Sequence, residues 1–525
     1  MSNLTFCFRI NSNENLGIGH AKRCTRIAYK LKKYGYQSIF FTDNKSAIDF
    51  FLKDFEIDYI YGKNSKFTSQ KNDAEKFLQK IKLLNPIVIS DDYRLDIDWE
   101  KIISKKKVKI VVLDDSENKK HFCDVYINYK PNLINQSKLN SNINKKKKTK
   151  LLLGPKYAII DCKHASSLKI KKSQNLFKVC FYMGGGGNFK FFDKIILNLI
   201  SLFSINKEKI QINIVQGPAC KNIHKIIILS KKYKFIKIID GKKNFDEKIS
   251  KMDLFVGSAG NIIYETSYYN IPSIFFEMTN NQNNYLSNME KIGHYFVLNK
   301  SELKNYLKIS KLIFLILKNY KRILKLVKNK KVLVDNSGLD RIVNNILSNK
   351  KVSDKKKDII HKLKKGKFIS KRVKDDEINR YLDTRNLYIN RKVSFSQKKI
   401  NRIDHYIWWL ISKRVTHLIT IDNKKIMYLY DETFKINLKN YSLQGWFSTQ
   451  NKFGIKEVLL ALNWHKKYME KKQNIDLSFG VIKKNNLINF SKYLNWVPID
   501  KNSEEFQILK KNYHVNEKFN YYKRN

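Results

Sequence analysis

The chain has 525 residues, of which 42% are hydrophobic and 13% are aromatic. This length suits about three domains of ordinary size, and the apolar content argues against a chain that is disordered over most of its length. The formal net charge is +56, but lysines occur in every region together with isoleucine and asparagine. We interpret the charge as a compositional bias and expect no specific nucleic-acid partner, because charge alone indicates solubility and non-specific binding.

Signals for a membrane or for a disulfide-forming compartment are not apparent in the sequence. No run approaches the ~20 apolar residues of a membrane span, and the first residues lack the basic and apolar regions of an export signal. The six cysteines lie within the first 220 residues and form no C-x-x-C pair. This pattern predicts a cytoplasmic protein without a disulfide framework.

Residues 1–150 alternate short apolar runs with amphipathic stretches, which predicts a first domain with a parallel sheet covered by helices. Helices are predicted over residues 21–34 and 73–84. Residues 135–150 are polar, lysine-rich and aperiodic, and they predict a crossover to a second domain. The predicted strands are residues 6–10, 38–42, 58–61, 87–90, 109–113 and 125–128.

A glycine-rich turn follows the first strand, with Gly17 and Gly19 directly before His20. Backbone N–H groups at the start of a helix bind anions, and a histidine beside them can activate a water at a phosphorylated substrate. The turn lacks the third glycine of the dinucleotide-binding pattern. A histidine that only caps the helix is therefore the alternative.

Acidic residues follow two of the predicted strands, on the same sheet edge as His20. They are Asp91 and Asp92, which precede Tyr93, and the pair Asp114 and Asp115. Such carboxylates can bind a metal or orient a base, or they can cap the following helices. Because no histidines stand at metal-ligand spacing, we expect no metal site.

Residues 151–350 repeat the alternation of strands and helices and end in helical patterns over residues 302–348. Strands are predicted at residues 177–183, 210–216, 235–239, 254–256 and 273–276. Two such halves predict two Rossmann-like domains that face each other across a cleft, with ligands at the carboxyl ends of the strands.

Small residues in this second half predict a nucleotide site. A glycine turn that includes Gly185 and Gly186 follows its first strand, and a tight structural turn is the alternative there. After a later strand, small residues could admit phosphate oxygens, and a glutamate one turn on could accept ribose hydroxyls or only complement the helix dipole. Asn281 and Gln282 carry amides that could bond a sugar. The later turn and its glutamate are Gly257, Ser258, Ala259, Gly260, Asn261 and Glu265.

Residues 351–367 are strongly basic and predict a linker, and residues 368–525 predict a third domain. Its clearest patterns are a helix at 455–469, a strand at 475–481 and a helix at 486–494.

In their order, the motifs of the first 350 residues resemble the UDP-sugar hydrolases of pseudaminic acid biosynthesis, which release UDP from UDP-2,4-diacetamido-2,4,6-trideoxy-β-L-altropyranose. The resemblance implies the two-domain glycosyltransferase B-type fold and no cofactor for hydrolysis. It implies that His20 positions or deprotonates the attacking water, that the turn at 257–261 binds the diphosphate, and that Glu265 binds the ribose. Residues expected near the sugar are Gly17, Gly19, Arg23, Tyr93, Gly185, Gly186, Asn281 and Gln282.

Two positions depart from that family's pattern. Gly187 and Asn11 stand where many relatives carry aspartate. Neither position is expected to supply the base, so the departures concern the fit of the substrate more than the type of reaction.

The third domain resembles the GNAT acetyltransferases that modify amino sugars. The residues that carry this resemblance begin with Tyr381 and Leu382 and continue through His405, Trp408 and Trp409. The resemblance implies an α+β fold and acetyl-CoA as cofactor, with Gln450, Gly454 and Asn485 as its contacts. The turn at 450–455 has one glycine, out of register with the family's pyrophosphate turn.

Taken together, the sequence predicts an α/β nucleotide-sugar hydrolase with an appended GNAT-like domain, acting as a cytoplasmic monomer in the synthesis of surface glycans. A glycosyltransferase of the same fold that uses a UDP-sugar donor is the nearer alternative. A basic nucleic-acid-binding protein is the alternative from another class, and it predicts a steeply salt-dependent affinity.

Overall fold

The computed structural model of the chain divides into two compact units, residues 1–354 and 355–525. Each unit is a separate folded body with its own sheets and core. The structure describes residues 4–11, 19–45, 49–62, 65–115, 118–131, 143, 148–164, 176–217, 220–241, 245–277, 288–348, 367–394, 397–450, 454–472, 474–483, 491, 494–513 and 519–524.

The first unit opens with a seven-stranded parallel sheet in the order β3-β2-β1-β4-β5-β6-β7. The chain adds strands outward from β1 in one direction and then, starting with β4, in the other. The topological switch point therefore lies between β1 and β4, where ligands bind in open α/β sheets. The strands are β1 Leu4–Ile10, β2 Gln37–Thr42, β3 Glu56–Tyr59, β4 Asn85–Asp91, β5 Lys109–Leu113, β6 Val125–Asn128 and β7 Lys150–Leu153.

Helices cover this first sheet, and the first of them begins at the switch point. Its buried residues recur every three or four positions, which turns one apolar stripe toward the sheet. The helices are α1 Gly19–Lys33, α2 Asp49–Leu52, α3 Gln70–Lys80 and α4 Ile97–Ser104.

The second sheet of this unit has six parallel strands in the order β10-β9-β8-β11-β12-β13, so its switch point lies between β8 and β11. The strands are β8 Leu176–Tyr182, β9 Lys209–Gln216, β10 Ile236–Asp240, β11 Leu254–Ser258, β12 Ser273–Glu277 and β13 Phe296–Asn299. Its helices are α5 Phe192–Ile205, α6 His224–Lys232, α7 Phe245–Ser250, α8 Ile262–Tyr268, α9 Tyr306–Lys318, α10 Tyr320–Lys328 and α11 Gly338–Leu347. The two parallel-sheet domains are Rossmann-like, as the sequence predicted.

A continuous apolar core joins the two Rossmann-like domains. Ile27 and Ala28 of α1 share it with Ile342 and Val343 of α11, so the last helix of the unit returns to the first domain. Lys30 and Asp340 form an ion pair between the same two helices. The α1 helix therefore lies at the seam between the domains.

Three strands of the first unit differ from the sequence prediction. The third strand begins and ends two residues before the predicted range 58–61. The prediction was shifted because Ile60 and Tyr61, which are apolar and buried, follow the strand. The short apolar runs that form β7 and β13 were not predicted as strands. β7 lies across position 150, where the sequence placed a domain boundary, and it belongs to the first sheet.

The second unit is built on a seven-stranded sheet in the order β14-β15-β16-β17-β18-β20-β19. Every pairing is antiparallel except the parallel pairing of β17 with β18. The strands are β14 Phe368–Arg372, β15 Val415–Ile421, β16 Lys424–Ile436, β17 Lys439–Ser448, β18 Leu477–Lys483, β19 Val497–Pro498 and β20 Phe519–Arg524. The helices are α12 Ile378–Arg385, α13 Tyr388–Lys392, α14 Arg402–Ile411, α15 Ile455–Glu470 and α16 Glu504–Asn512.

Separate cores form on the two faces of this sheet near β16 and β17. On one face, Tyr381 of α12 packs with Tyr428 and Phe447. On the other face, Val458 and Ala461 of α15 pack on Met427 and Leu429, which alternate with Tyr428 along β16. The helices α12 and α15 therefore lie on opposite faces. The α15 helix agrees with the predicted helix at 455–469, whereas most of the predicted helix at 486–494 lies outside the described residues.

Candidate active site

A histidine–aspartate pair lies at the switch point of the first sheet. His20 is in the first turn of α1, Asp91 ends β4, and Nδ1 of His20 lies 2.6 Å from Oδ1 of Asp91. Arg23 Nη2 also lies 3.2 Å from Nδ1. Because an ionised carboxylate only accepts hydrogen bonds, the shorter contact with Asp91 favours the tautomer with its proton on Nδ1 and a lone pair on Nε2. Among the described residues, none bonds Nε2, which leaves that atom able to accept a proton.

Arg23 completes this buried group from the next turn of α1. Its Nε donates to Oδ2 of Asp91 at 2.6 Å, and its Nη2 donates to Oδ1. Burial alone would raise the pKa of the Asp91 carboxyl, but the charges of Arg23 and His20 outweigh burial and hold this pKa well below its usual range. Asp91 therefore stays ionised and fixes both side chains.

Tyr93 flanks the histidine. Its ring meets the His20 ring edge-on, with centroids 4.7 Å apart, and its hydroxyl donates to Oδ1 of Asp115 at 2.5 Å. Burial and the Asp115 carboxylate raise the pKa of the Tyr93 hydroxyl, so this group stays a neutral hydrogen-bonding partner. The predicted candidates from three strand ends thus lie together.

Glycines form the switch point of the second sheet. A Cβ on Gly257 would lie 1.9 Å from the Tyr182 carbonyl oxygen, so β8 and β11 approach closely only because residue 257 has no side chain. By contrast, a Cβ on Gly186 or Gly260 would meet no heavy atom within 4 Å. The space beside these two glycines, where a side chain would stand, is therefore open to a ligand.

A tyrosine that the sequence did not single out connects the two switch points. The hydroxyl of Tyr129, just after β6, accepts from Nη1 of Arg23 at 3.3 Å and donates to Oδ1 of Asn261 at 3.2 Å. The Tyr264 hydroxyl donates to the Tyr129 carbonyl at 2.8 Å. One hydroxyl group therefore touches both the His20 cluster and the turn at 257–261.

Glu265 faces the first domain and pairs with another residue that was not predicted, Arg26 of α1. Arg26 Nη1 also donates to the Ile159 carbonyl at 2.8 Å, in the connector between the domains. Burial would raise the pKa of the Glu265 carboxyl, but the charges of Arg26 and Lys22 lower it. Glu265 is thus an ionised acceptor. The only sequence signal for Arg26 was its position one turn beyond Lys22 and Arg23.

The other predicted site residues fall into two groups. Gly19, Gly185 and Gly186 are described, and Gly19 begins α1. Gly17, Asn281, Gln282 and Asn485 lie outside the described residues. In the second unit, Nε2 of Gln450 donates to the Lys425 carbonyl at 2.6 Å, and Gly454 is the N-cap of α15.

A cavity of about 200 Å³ lies in the second unit where β17 and β18 separate. The two strands pair from Tyr441 with Leu477 to Gln444 with Gly480, and no pairing continues beyond that point. A Cβ on Gly445 would lie 2.3 Å from the Tyr430 hydroxyl oxygen, so a larger residue at this position would displace the Tyr430 side chain. The separation leaves backbone groups of both strands next to the cavity.

His121 lies in a second buried acidic group of the first domain, next to Asp115. Its Nδ1 is 2.6 Å from Oε1 of Glu100, and its Nε2 is 3.1 Å from Oδ2 of Asp114. Burial would lower the pKa of His121, but hydrogen bonds to the two carboxylates outweigh burial and raise it to about 9. We interpret it as an imidazolium that holds the strand end carrying Asp115.

The raised pKa of His121 predicts a pH-dependent stability. Because the folded pKa exceeds the unfolded value of about 6.5, this stabilisation is complete below pH ~6.5 and is lost as the pH rises through about 9. Denaturant unfolding of the wild type and of His121→Gln should therefore differ by about 3 kcal/mol more at pH 6 than at pH 10. A difference that does not change with pH would contradict the paired imidazolium.

Neither a cluster of metal ligands nor a membrane-spanning helix is present in the described part of the chain. No group of three or more histidine, cysteine, aspartate or glutamate side chains could hold a metal ion there. None of the described helices has the length and apolar character needed to cross a membrane.

No protein-family model matches the chain, and no curated protein matches it. Solved structures do match it. MurG from Acinetobacter baumannii is 11% identical over 65% of this chain and 99% of its own, with a TM-score of 0.46. The MnaA–UDP complex from S. aureus is 16% identical over 67% and 100%, with a TM-score of 0.43. UDP-GlcNAc 2-epimerase from Neisseria meningitidis, bound to UDP-GlcNAc, is 12% identical over 66% and 100%, with a TM-score of 0.41. At these values we transfer no residue role or activity.

Proposed function

We propose that the first unit is a glycosyltransferase B-type enzyme that hydrolyses a UDP-linked sugar to UDP and the free sugar. The observation that carries this proposal is the Tyr129 hydroxyl, which bonds both Arg23 and Asn261. Through it, a candidate base and an open glycine turn become parts of one site. A base next to a phosphate-binding turn is what attack of water on a nucleotide sugar requires.

In this proposal His20 is the base. Asp91 holds the proton on Nδ1, so Nε2 accepts a proton from the attacking water. The water oxygen forms a bond to the anomeric carbon, and the bond from that carbon to the diphosphate oxygen breaks, with UDP taking the electron pair. Because UDP is a good leaving group, the site does not need the carboxylate pair of ordinary glycosidases.

The second domain binds UDP in this proposal. The diphosphate lies against the glycine turns that contain Gly186 and Gly260, where no side chain blocks approach, and accepts hydrogen bonds from backbone N–H groups of these turns. The ionised Glu265 accepts the ribose hydroxyls while Arg26 holds one of its oxygens. Since both halves of the site come from one chain, we infer that the protein works as a monomer.

We further propose that the sugar is the diacetamido-trideoxy sugar of pseudaminic acid synthesis, made in the cytoplasm for surface glycans. The motif resemblance supports this choice of sugar, with Tyr93 beside His20 as its contact among the described residues. The six cysteines are free thiols, which fits a reducing compartment.

For the second unit we propose a GNAT-like N-acetyltransferase that acts on an amino sugar. The parallel strands β17 and β18 separate beyond Gln444, and their unpaired backbone next to the cavity fits the amide-bearing arm of acetyl-CoA. The turn before α15 fits the pyrophosphate less well, because the Glu457 carboxylate lies next to Gly454 and would repel a diphosphate. Bound acetyl-CoA would supply the acetyl group, and the chain would position the amine.

The test is to incubate the protein with the diacetamido UDP-sugar in H₂¹⁸O, without any sugar acceptor. We expect release of UDP and one ¹⁸O atom in the free sugar, because water attacks the anomeric carbon. UDP release only after a sugar acceptor is added would favour the glycosyltransferase instead, and ¹⁸O in UDP would contradict attack at carbon. In a parallel reaction, acetyl-CoA and the 4-amino precursor should release CoA if the second unit is active.

A further inference from the structure

The start of α1 carries three cations, Lys22, Arg23 and Arg26. Two of them are neutralised within the protein, because Arg23 pairs with Asp91 and Arg26 pairs with Glu265. Among the described residues, none forms an ion pair or a hydrogen bond with Lys22. Lys22 is therefore the cation of this helix turn that a ligand can still engage.

The Lys22 ammonium lies over an aromatic ring of the second domain. Its Nζ is 5.2 Å from the centroid of the Phe245 ring. Phe245 packs on Tyr182, with ring centroids 5.1 Å apart, and Tyr182 is the last residue of β8, directly before the turn that contains Gly186. The Tyr182 carbonyl is also the group that approaches Gly257. The Lys22 side chain thus reaches from α1 to residues that border both glycine turns.

This placement is unfavourable for a lysine in the protein alone. Burial lowers the pKa of Lys22, and the nearby Glu265 carboxylate only partly opposes this effect, because Arg26 already holds that carboxylate. The face of one phenylalanine offsets only part of the cost of taking an ammonium out of water. An anion bound beside Lys22 would supply the missing partner.

The order of residues along α1 indicates which part of a ligand this is. In the proposed site the ribose lies at Glu265, beside Arg26, and the anomeric carbon lies near His20. Lys22 stands between these positions, about 6 Å along the helix axis from Arg26 and about 3 Å from His20. The diphosphate is the part of a nucleotide sugar that joins the ribose to the anomeric carbon. It therefore passes Lys22.

The charge of the site leads to the same conclusion. Residues 184–187 and 257–261, which form the glycine turns, include no lysine or arginine. Glu265, which follows the second turn, is itself ionised. A nucleoside diphosphate carries several negative charges at neutral pH, so a cation from the first domain would balance them and strengthen its hydrogen bonds.

We propose that Lys22 is a binding residue for the diphosphate of the nucleotide sugar, with its ammonium turning from the Phe245 ring to a phosphate oxygen. This inference rests on the proposed nucleotide-sugar site for the identity of the ligand. The flexible four-carbon stem of lysine permits the turn while α1 stays in place. Two residues of one helix then divide the work, since His20 acts on the water and Lys22 on the leaving group.

The test is calorimetric titration of the full-length protein with uridine, UMP and UDP. In Lys22→Gln the UDP affinity should fall by about tenfold or more, because a hydrogen bond between charged groups is lost. The uridine affinity should stay unchanged, because uridine has no phosphate. A loss that is already present with UMP would assign Lys22 to the first phosphate, and a loss with UDP alone would assign it to the second.

Two further variants control this experiment. Lys22→Arg keeps the charge and should retain most of the UDP affinity. The matched control is Lys33→Gln, which removes an exposed lysine from the last turn of the same helix and should bind UDP as the wild type does.

Three results would overturn this inference. One is the same UDP affinity in Lys22→Gln and in the wild type. Another is an equal loss for uridine and UDP, which would assign Lys22 to the nucleoside or to the packing of Phe245. The third is a marked loss of stability in denaturant unfolding of Lys22→Gln, which would make Lys22 a structural residue. A wild type that does not bind UDP would instead contradict the proposed function itself.

Discussion

Replacing His20 by alanine should lower the rate of UDP release by about 10²-fold or more, the usual contribution of a general base. The side chain is buried at the switch point, and its Nδ1 lies 2.6 Å from Asp91, so the variant loses an oriented base beside Tyr93. The KM should change little, because the proposed UDP contacts at Gly260 and Glu265 stay intact. The decrease should therefore appear in kcat.

The matched control for this variant is His224→Ala, which removes an exposed histidine at the start of α6 in the second domain. It should release UDP at the wild-type rate. Calorimetric titration with UDP should give the same affinity for His20→Ala and the wild type. Unchanged UDP release by His20→Ala would eliminate the role of His20 as a base, whereas a lost UDP affinity would make it a binding residue.

Much of the first unit could be predicted because parallel strands are buried on both faces and appear as plain apolar runs. The ends of those strands carry the site candidates, so the proximity of His20, Asp91 and Tyr93 could be predicted from their positions in the sequence. The sequence could not predict Tyr129 and Arg26. Their importance depends on contacts with Asn261 and Glu265, more than 130 residues away in the chain.

The second unit was harder to predict for a local reason. Its long strands β15, β16 and β17 are joined by tight turns at Asp422–Asn423 and at Asn437–Leu438, where all four residues have positive φ. Hairpin turns of this kind are usually marked by glycine, and neither of these turns contains one. The cavity forms where β17 separates from β18, and this separation depends on how the two strands pair in the folded sheet. The sequence indicates it only through Gly445.

The adjacent residues Asp91 and Asp92 have different hydrogen-bond partners and therefore different roles. Asp92 follows Asp91 directly, yet its carboxylate bonds Arg94, which also pairs with Asp43. Arg9 joins the same buried group by bonding Asp43 and Asp73. The strand end therefore directs Asp91 toward the site and Asp92 into a structural network. Sequence adjacency could not separate these two roles.

Asp91→Asn should lower both the stability of the first unit and the rate of UDP release. Removing the charge leaves the buried Arg23 without its main partner, and breaking a buried ion pair lowers the free energy of unfolding by about 3–5 kcal/mol. UDP release should also fall, by no more than in His20→Ala, because an asparagine no longer fixes the proton on Nδ1 of His20. Denaturant unfolding and UDP release measure the two effects.

The acid dependence of stability gives this prediction a second readout. The folded pKa of Asp91 is depressed, so its stabilisation is complete above the unfolded value of about 3.9 and is lost as the pH falls toward the folded value. Asp91→Asn should lose this part of the acid dependence. The control is Asp58→Asn, which breaks an exposed pair with Lys80 and should change stability by less than about 1 kcal/mol.

A double variant separates positioning from a merely structural role. If Asp91 acts through His20, then His20→Ala combined with Asp91→Asn should release UDP no more slowly than His20→Ala alone, because residues that act as one unit are non-additive. If the two losses multiply instead, Asp91 acts independently of His20 and the proposed pair is wrong. The comparison holds at temperatures where both single variants remain folded, because it then depends on rates alone.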